Sequence, residues 1–147
     1  MLVSNGTSIL LVANRTAQTT ELHEAVRRIA EERDVDFHLL VPSHPRGLHR
    51  VVDPEVAGRE EAEARLAAAL PSLSAAAGRE VSGEVGDADP MAAIQDTLGR
   101  GSFDEIIVST LPPRVSRWLH LDLPSKARGL GLPVTHVQAK GLERQAA

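Results

Sequence analysis

The run Ile9-Leu10-Leu11-Val12-Ala13 is apolar at every position, with only Ser8 polar at its start. A strand that faces water on one side alternates apolar with polar residues. One that does not alternate must be covered on both faces, as in the middle of a parallel sheet. Such a strand obliges the rest of the chain to supply two covering layers, and amphipathic helices returning between parallel strands do this. Phe37-His38-Leu39-Leu40-Val41 and Asp104-Glu105-Ile106-Ile107-Val108 are further short runs of the same kind.

Helical stretches separate these runs. After Asn14-Arg15-Thr16, residues Leu22, Val26, Ile29 and Ala30 recur at i, i+4, i+7 and i+8. Thr19 or Thr20 can cap this helix, and Glu21 and Glu24 suit its positive end. Pro42 stops the second strand, and a polar loop from Ser43 to Val52 carries His44 and His49. Asp53-Pro54 pairs a cap residue with proline at the first helical position. The helix that follows presents Ala62, Leu66, Leu70 and Leu73, is expected to continue past Pro71 with a kink, and closes at Gly78. Glu80 to Val85 alternates weakly and reads as a third strand, nearer an edge than the first. Asp89-Pro90 repeats the capping signal ahead of Met91, Ile94 and Leu98, and Gly99 and Gly101 end that helix. The fourth strand leads into Ser109-Thr110-Leu111-Pro112-Pro113-Arg114, read as a loop, then Arg117-Trp118-Leu119-His120. A cap-like Asp122, a helix through Lys126-Ala127-Arg128 and a last strand to Val137 complete the pattern.

The order β-α-β-α-β-α-β-α-β predicts a three-layer α/β, Rossmann-like open sheet of five parallel strands with helices on both faces. Right-handed crossovers leave the strand orders 3-2-1-4-5 and 2-1-3-4-5. A chain of 147 residues has the size of one domain, assigned to 1–140 with a frayed tail at 141–147. No internal repeat or low-complexity run interrupts it. Ligands of such sheets lie outside the carboxyl ends of the strands, which directs attention to the long stretch after the fourth strand.

Composition narrows the chemistry. Two Phe, one Trp and no Tyr leave little for stacking a flavin or single-stranded nucleic acid. A net charge of −4 with interleaved signs gives no basic footprint for nucleic acid or an anionic membrane. Without cysteine there are no disulfides, thiol nucleophiles or thiolate metal sites. Neither a signal-peptide pattern nor a membrane-length apolar stretch is present, so a cytoplasmic location is the expectation. Asp87 and Asp89 resemble an acidic pair, but Asp89 is explained as a cap. A phospho-acceptor role for Asp87 lacks the acids expected after the first strand and the lysine expected at the end of the last. His44 and His49 have no third ligand at metal spacing. No Ser-His-Asp arrangement, nucleophile elbow or P-loop appears.

The pieces Ile9-Leu10-Leu11-Val12-Ala13-Asn14, Gly86-Asp87-Ala88-Asp89-Pro90-Met91-Ala92-Ala93-Ile94, Phe103 to Val108, and Leu132-Pro133-Val134-Thr135-His136-Val137 together resemble the universal stress protein family. The resemblance spans nearly the whole chain and implies the strand order 3-2-1-4-5. It also implies a homodimer paired through the last strand, at Val134 and His136. The family's nucleotide-binding branch holds ATP phosphates with Gly-x2-Gly-x9-Gly-Ser/Thr after the fourth strand. At that spacing this chain has Ser109, Pro112, Asp122 and Leu123, and none matches. Pro112 has no N–H to donate, Pro124 removes another, and Asp122 sets a carboxylate where phosphate would rest. Asn14 stands where that branch has an aspartate at the end of the first strand.

The expectation is therefore a universal-stress-like regulatory or interaction module, without enzymatic activity or a cofactor, that does not bind ATP in the family's usual mode. The alternative is a nucleotide binder for AMP or ATP (with magnesium if ATP), in which Arg114 and Arg117 clamp the phosphate. Candidate ligand residues are Asn14, Thr16, Val41, Ser109, Thr110, Pro112, Arg114, Arg117, Asp122 and Ser125. The expected cleft lies between the first and fourth strands, bounded by Asn14, Val41, Ser109, Thr110 and Arg114.

Overall fold

The computed structural model describes residues 6–43 and 54–140. In chain order the elements are β1 (Thr7–Val12), α1 (Thr20–Glu32), β2 (Val35–Pro42), α2 (Pro54–Ala77), β3 (Ser82–Gly86) and α3 (Pro90–Arg100). They continue with β4 (Glu105–Thr110), α4 (Arg117–His120), α5 (Leu123–Arg128) and β5 (Val134–Gln138). The strands form one parallel sheet in the order β3-β2-β1-β4-β5, the first of the two orders the pattern allowed.

β1 is central, and its side chains divide the core in two. Ile9, Leu11 and Ala13 join Leu22 and Val26 of α1 and Ala62, Ala69 and Leu73 of α2 on one face. Leu10 and Val12 join Ile94 of α3, Ile106 and Val108 of β4, and Leu123 of α5 on the other. All five β1-run residues are fully buried, which explains the missing alternation. Each large aliphatic side chain so buried contributes about 1.5–3 kcal/mol.

Two of the capping signals, Thr19 and Asp89, form caps. Thr19 caps α1, its Oγ1 accepting from Leu22 N. Asp89 caps α3, accepting from Met91 N at 3.1 Å, while its own N–H donates to Asp87 Oδ1 at 2.8 Å. α2 runs through Pro71 and ends at Gly78, whose φ of +75° takes the left-handed conformation open to glycine. α3 passes through Gly99 and stops at Gly101.

Several boundaries differ from expectation. β3 begins at Ser82 rather than Glu80, and β5 begins at Val134 and reaches Gln138. β4 extends two residues further than its apolar run, because Ser109 and Thr110 pair with Val137 and Gln138 of β5. The stretch after β4 is not one open loop: Arg117–His120 folds into a helical turn. Asp122 has no side-chain capping bond and sits at φ +60°, a left-handed kink between α4 and α5. Asp53, His44, His49 and the segment 141–147 lie outside the described residues, as does most of the loop after Pro42.

Candidate functional site

The crossover from β1 runs to β2 on one side, while β4 lies on the other. The chain therefore parts at the carboxyl ends of β1 and β4, where open α/β sheets bind ligands. Asn14 follows β1 there. Its side-chain amide donates to the Pro42 carbonyl at 2.5 Å, bridging to the end of β2. The residue is only 8% exposed, and its Oδ1 is buried with no hydrogen-bond partner among the described residues. An unsatisfied buried acceptor costs roughly 1–3 kcal/mol, so this atom is a ready partner for a donor entering the cleft.

Hydroxyls line the same cleft. The Thr16 hydroxyl donates to the Ser109 carbonyl at 3.1 Å and lies 2.7 Å from the Ser109 hydroxyl. Thr110 Oγ1 is 2.7 Å from His136 Nε2 on β5. Burial, and secondly the charge of Arg128, push the His136 pKa below its ordinary value and favour the neutral ring. Ser116, also buried, accepts from Leu119 N at 3.0 Å and so anchors α4. The turn before it is fixed by Val115 N and Ser116 N, both donating to the Pro112 carbonyl at 3.0 Å.

This arrangement brings α4 over the cleft. The space left is about 50 Å³, lined by Asn14, Thr16, Ser109, Thr110, Ser116, Arg117 and Trp118, among others. Pockets for drug-sized ligands run to about 300–1,000 Å³; the cleft in this conformation holds a few waters or one small polar group. Trp118 packs against the part of the core that holds Ile94 of α3 and Leu123 of α5, and it also lines the cleft.

Of the sequence candidates, Asn14, Thr16, Ser109, Thr110 and Arg117 converge on this cleft. Val41 does not line it: it is fully buried in the α1–α2 side of the core. Arg114 is exposed and also outside the lining, so the expected boundary by Val41 and Arg114 is replaced by Ser116, Arg117 and Trp118. Pro112, Asp122 and Ser125 are not among the lining residues; Asp122 and Ser125 face solvent. Ser116 was readable as a helix cap, but the preceding Pro112-Pro113 masks the signal.

A second polar constellation had no motif to announce it. His38 on β2 is 2.7 Å from Ser82 Oγ through Nδ1 and 2.7 Å from Glu84 Oε2 through Nε2, both on β3. Arg100 of α3 donates to Glu84 Oε1 at 2.7 Å. A serine, a histidine and an acid thus meet where the sequence showed no such arrangement. Parallel pairing brings them together, with His38 opposite Ser82 and Leu40 opposite Glu84. The network clamps the edge strand to α3.

No family model and no curated protein matches the chain. Solved structures do. A protein from the universal stress protein family from Burkholderia pseudomallei superposes with a TM-score of 0.64 at 14% identity, over 94% of this chain and 100% of that one. A universal stress protein in complex with cAMP gives 0.62 at 14%, covering 93% and 100%. The universal stress protein from Archaeoglobus fulgidus in complex with dAMP gives 0.56 at 18%, covering 89% and 97%. Among the described residues no helix is long and apolar enough to cross a membrane. From the central β1 outward to both sheet edges, the chain has the fold of the universal stress proteins.

Proposed function

We propose that this chain is a universal-stress-like regulatory or interaction module that does not hold ATP in the mode usual for that family. The carrying observation is the cleft itself: α4 and Trp118 reduce it to about 50 Å³. The glycine positions that would cradle phosphates are Ser109, Pro112 and Asp122. The role proposed is non-enzymatic: the cleft hydroxyls are engaged with one another, with the Ser109 carbonyl, with Leu119 N and with His136. The chain would act as a homodimer through β5, an edge strand whose outer side has no partner strand among the described residues.

A second reading, a nucleotide binder with arginine-assisted phosphate recognition, draws support from Asn14 Oδ1, which has no partner among the described residues, and from Arg117 at the rim. Two of the structural neighbours are complexes with cAMP and dAMP. The test is isothermal titration with ATP, ADP, AMP and cAMP, with and without magnesium, after denaturing extraction for co-purified nucleotide. Silence with all four supports the main reading. Tight ATP binding refutes it. Monophosphate binding that is lost in Arg114→Ala/Arg117→Ala establishes the second reading. Light scattering of the eluting protein reads the dimer directly, and a monomer would refute that part.

A further inference from the structure

The larger opening at this end of the sheet is not the cleft. On the other side of α4 lies a groove of about 470 Å³, between the start of α3 and the start of α5. Pro90 and Met91 form one wall, Leu121 and Leu123 the other, and Arg117 and Lys126 stand at its margin with Asp89. Its size falls in the range of small-molecule sites, roughly 300–1,000 Å³. Leu121 is 39% exposed, one of two large exposed hydrophobic residues among those described.

We propose that this groove binds an amphipathic organic monoanion: an apolar body of about eight carbons carrying a single carboxylate or sulfonate. The apolar walls call for an apolar body, because burying hydrocarbon there removes water from Met91 and Leu121. The charges call for one negative group. Neither Arg117 nor Lys126 has a side-chain hydrogen bond or ion pair among the described residues. The single carboxylate of the groove, Asp89, is engaged as the cap of α3. Two cations against one anion leave a surplus of one positive charge. A carboxylate satisfies that surplus, and a polyphosphate oversubscribes it. The helix starts add little pull for phosphate, since Pro90 and Pro124 have no N–H to offer. Arg117 belongs to both spaces, so α4 is a partition with Trp118 on the cleft side and Leu121 on the groove side.

The experiment titrates the full chain with octanoate, 1-octanol and acetate, read by calorimetry and by amide shifts in ¹⁵N-labelled protein. Octanoate is expected to bind with a dissociation constant of about 1 mM or tighter. It should bind at least tenfold tighter than octanol or acetate, shifting the amides of Met91, Leu121, Leu123 and Lys126. Lys126→Gln and Leu121→Asp, both at exposed positions, are each expected to weaken it at least fivefold with the fold intact. Equal affinity for octanoate and octanol would overturn the charge argument. No binding, or shifts outside the groove, would overturn the site. A dimer that dissociates only in Leu121→Asp would assign the groove to a second copy of the chain and equally overturn it. The nucleotide titrations above report separately, so this proposal and the proposed function fail on different data.

Discussion

Gly86 closes β3 with no room for a side chain. A Cβ built there would lie 2.8 Å from the Ala93 Cβ on α3 and 2.8 Å from Leu40 Cδ1 on β2. Real Cβ contacts are nearly an ångström longer, and both neighbours are fixed: Leu40 is fully buried and Ala93 is 1% exposed. Gly86→Ala must therefore push α3 away from the sheet or force Leu40 from its rotamer. Overpacking of this kind costs about 1–3 kcal/mol, and for a chain of this size each kcal/mol lowers Tm by roughly 2–4 °C. Urea unfolding followed by circular dichroism measures the loss. Ala93→Gly in the same chain removes one of the two contacts. That substitution alone costs about 1 kcal/mol from the helix interior, but combined with Gly86→Ala it should cost less than the sum of the singles. A coupling of at least about 0.5 kcal/mol is the signature of direct contact. A Gly86→Ala protein within about 0.5 kcal/mol of the parent, or strictly additive singles, would refute the close approach of α3 to β3.

Two further outcomes bear on the cleft. Ser116→Ala removes the cap of α4, which should loosen the turn by about 1 kcal/mol. Because Trp118 is the single tryptophan, its emission should move to the red while far-ultraviolet dichroism stays unchanged; an unmoved spectrum would show that α4 holds without its cap. His136 has a pKa below the ordinary 6.5 in the folded chain, so between those two values the unfolded chain binds more protons. Stability should fall as pH drops below about 6.5, and His136→Gln should flatten that part of a Tm–pH profile. The same slope in both proteins would refute the assignment.

Element types and order were legible because they rest on local pattern. The apolar run of β1, the stripe of α1, and the Thr19 and Asp89 caps each depend on a few neighbouring residues. What stayed hidden depends on partners far along the chain. Ser109 and Thr110 look like loop residues until β5 pairs with them, and Val41 looks like a rim residue until β3 and α2 close over it. His38, Ser82 and Glu84 are unrelated letters until β2 and β3 lie side by side. Asp122 has the composition of a cap, but the kink between α4 and α5 turns its backbone left-handed and takes its side chain out of reach. The cleft residues were half legible for the same reason: the strand ends were visible, and the turn that covers them was not.

The strand order also sets a timetable for synthesis. β1, the central strand, is made before the other four, gains β2 soon after, and then waits for β4 on its other side. Ser8 and Asp104 are 96 residues apart, and they join through Ser8 N to Asp104 Oδ2 and Asp104 N to Ser8 O, each at 2.8 Å. At about 5–20 residues per second, translation leaves that edge of β1 open for roughly 5–20 seconds. During that interval Leu10 and Val12 lack both β4 and α5, and a growing chain stalled before residue 105 exposes an apolar strand edge that any other unfinished chain could occupy.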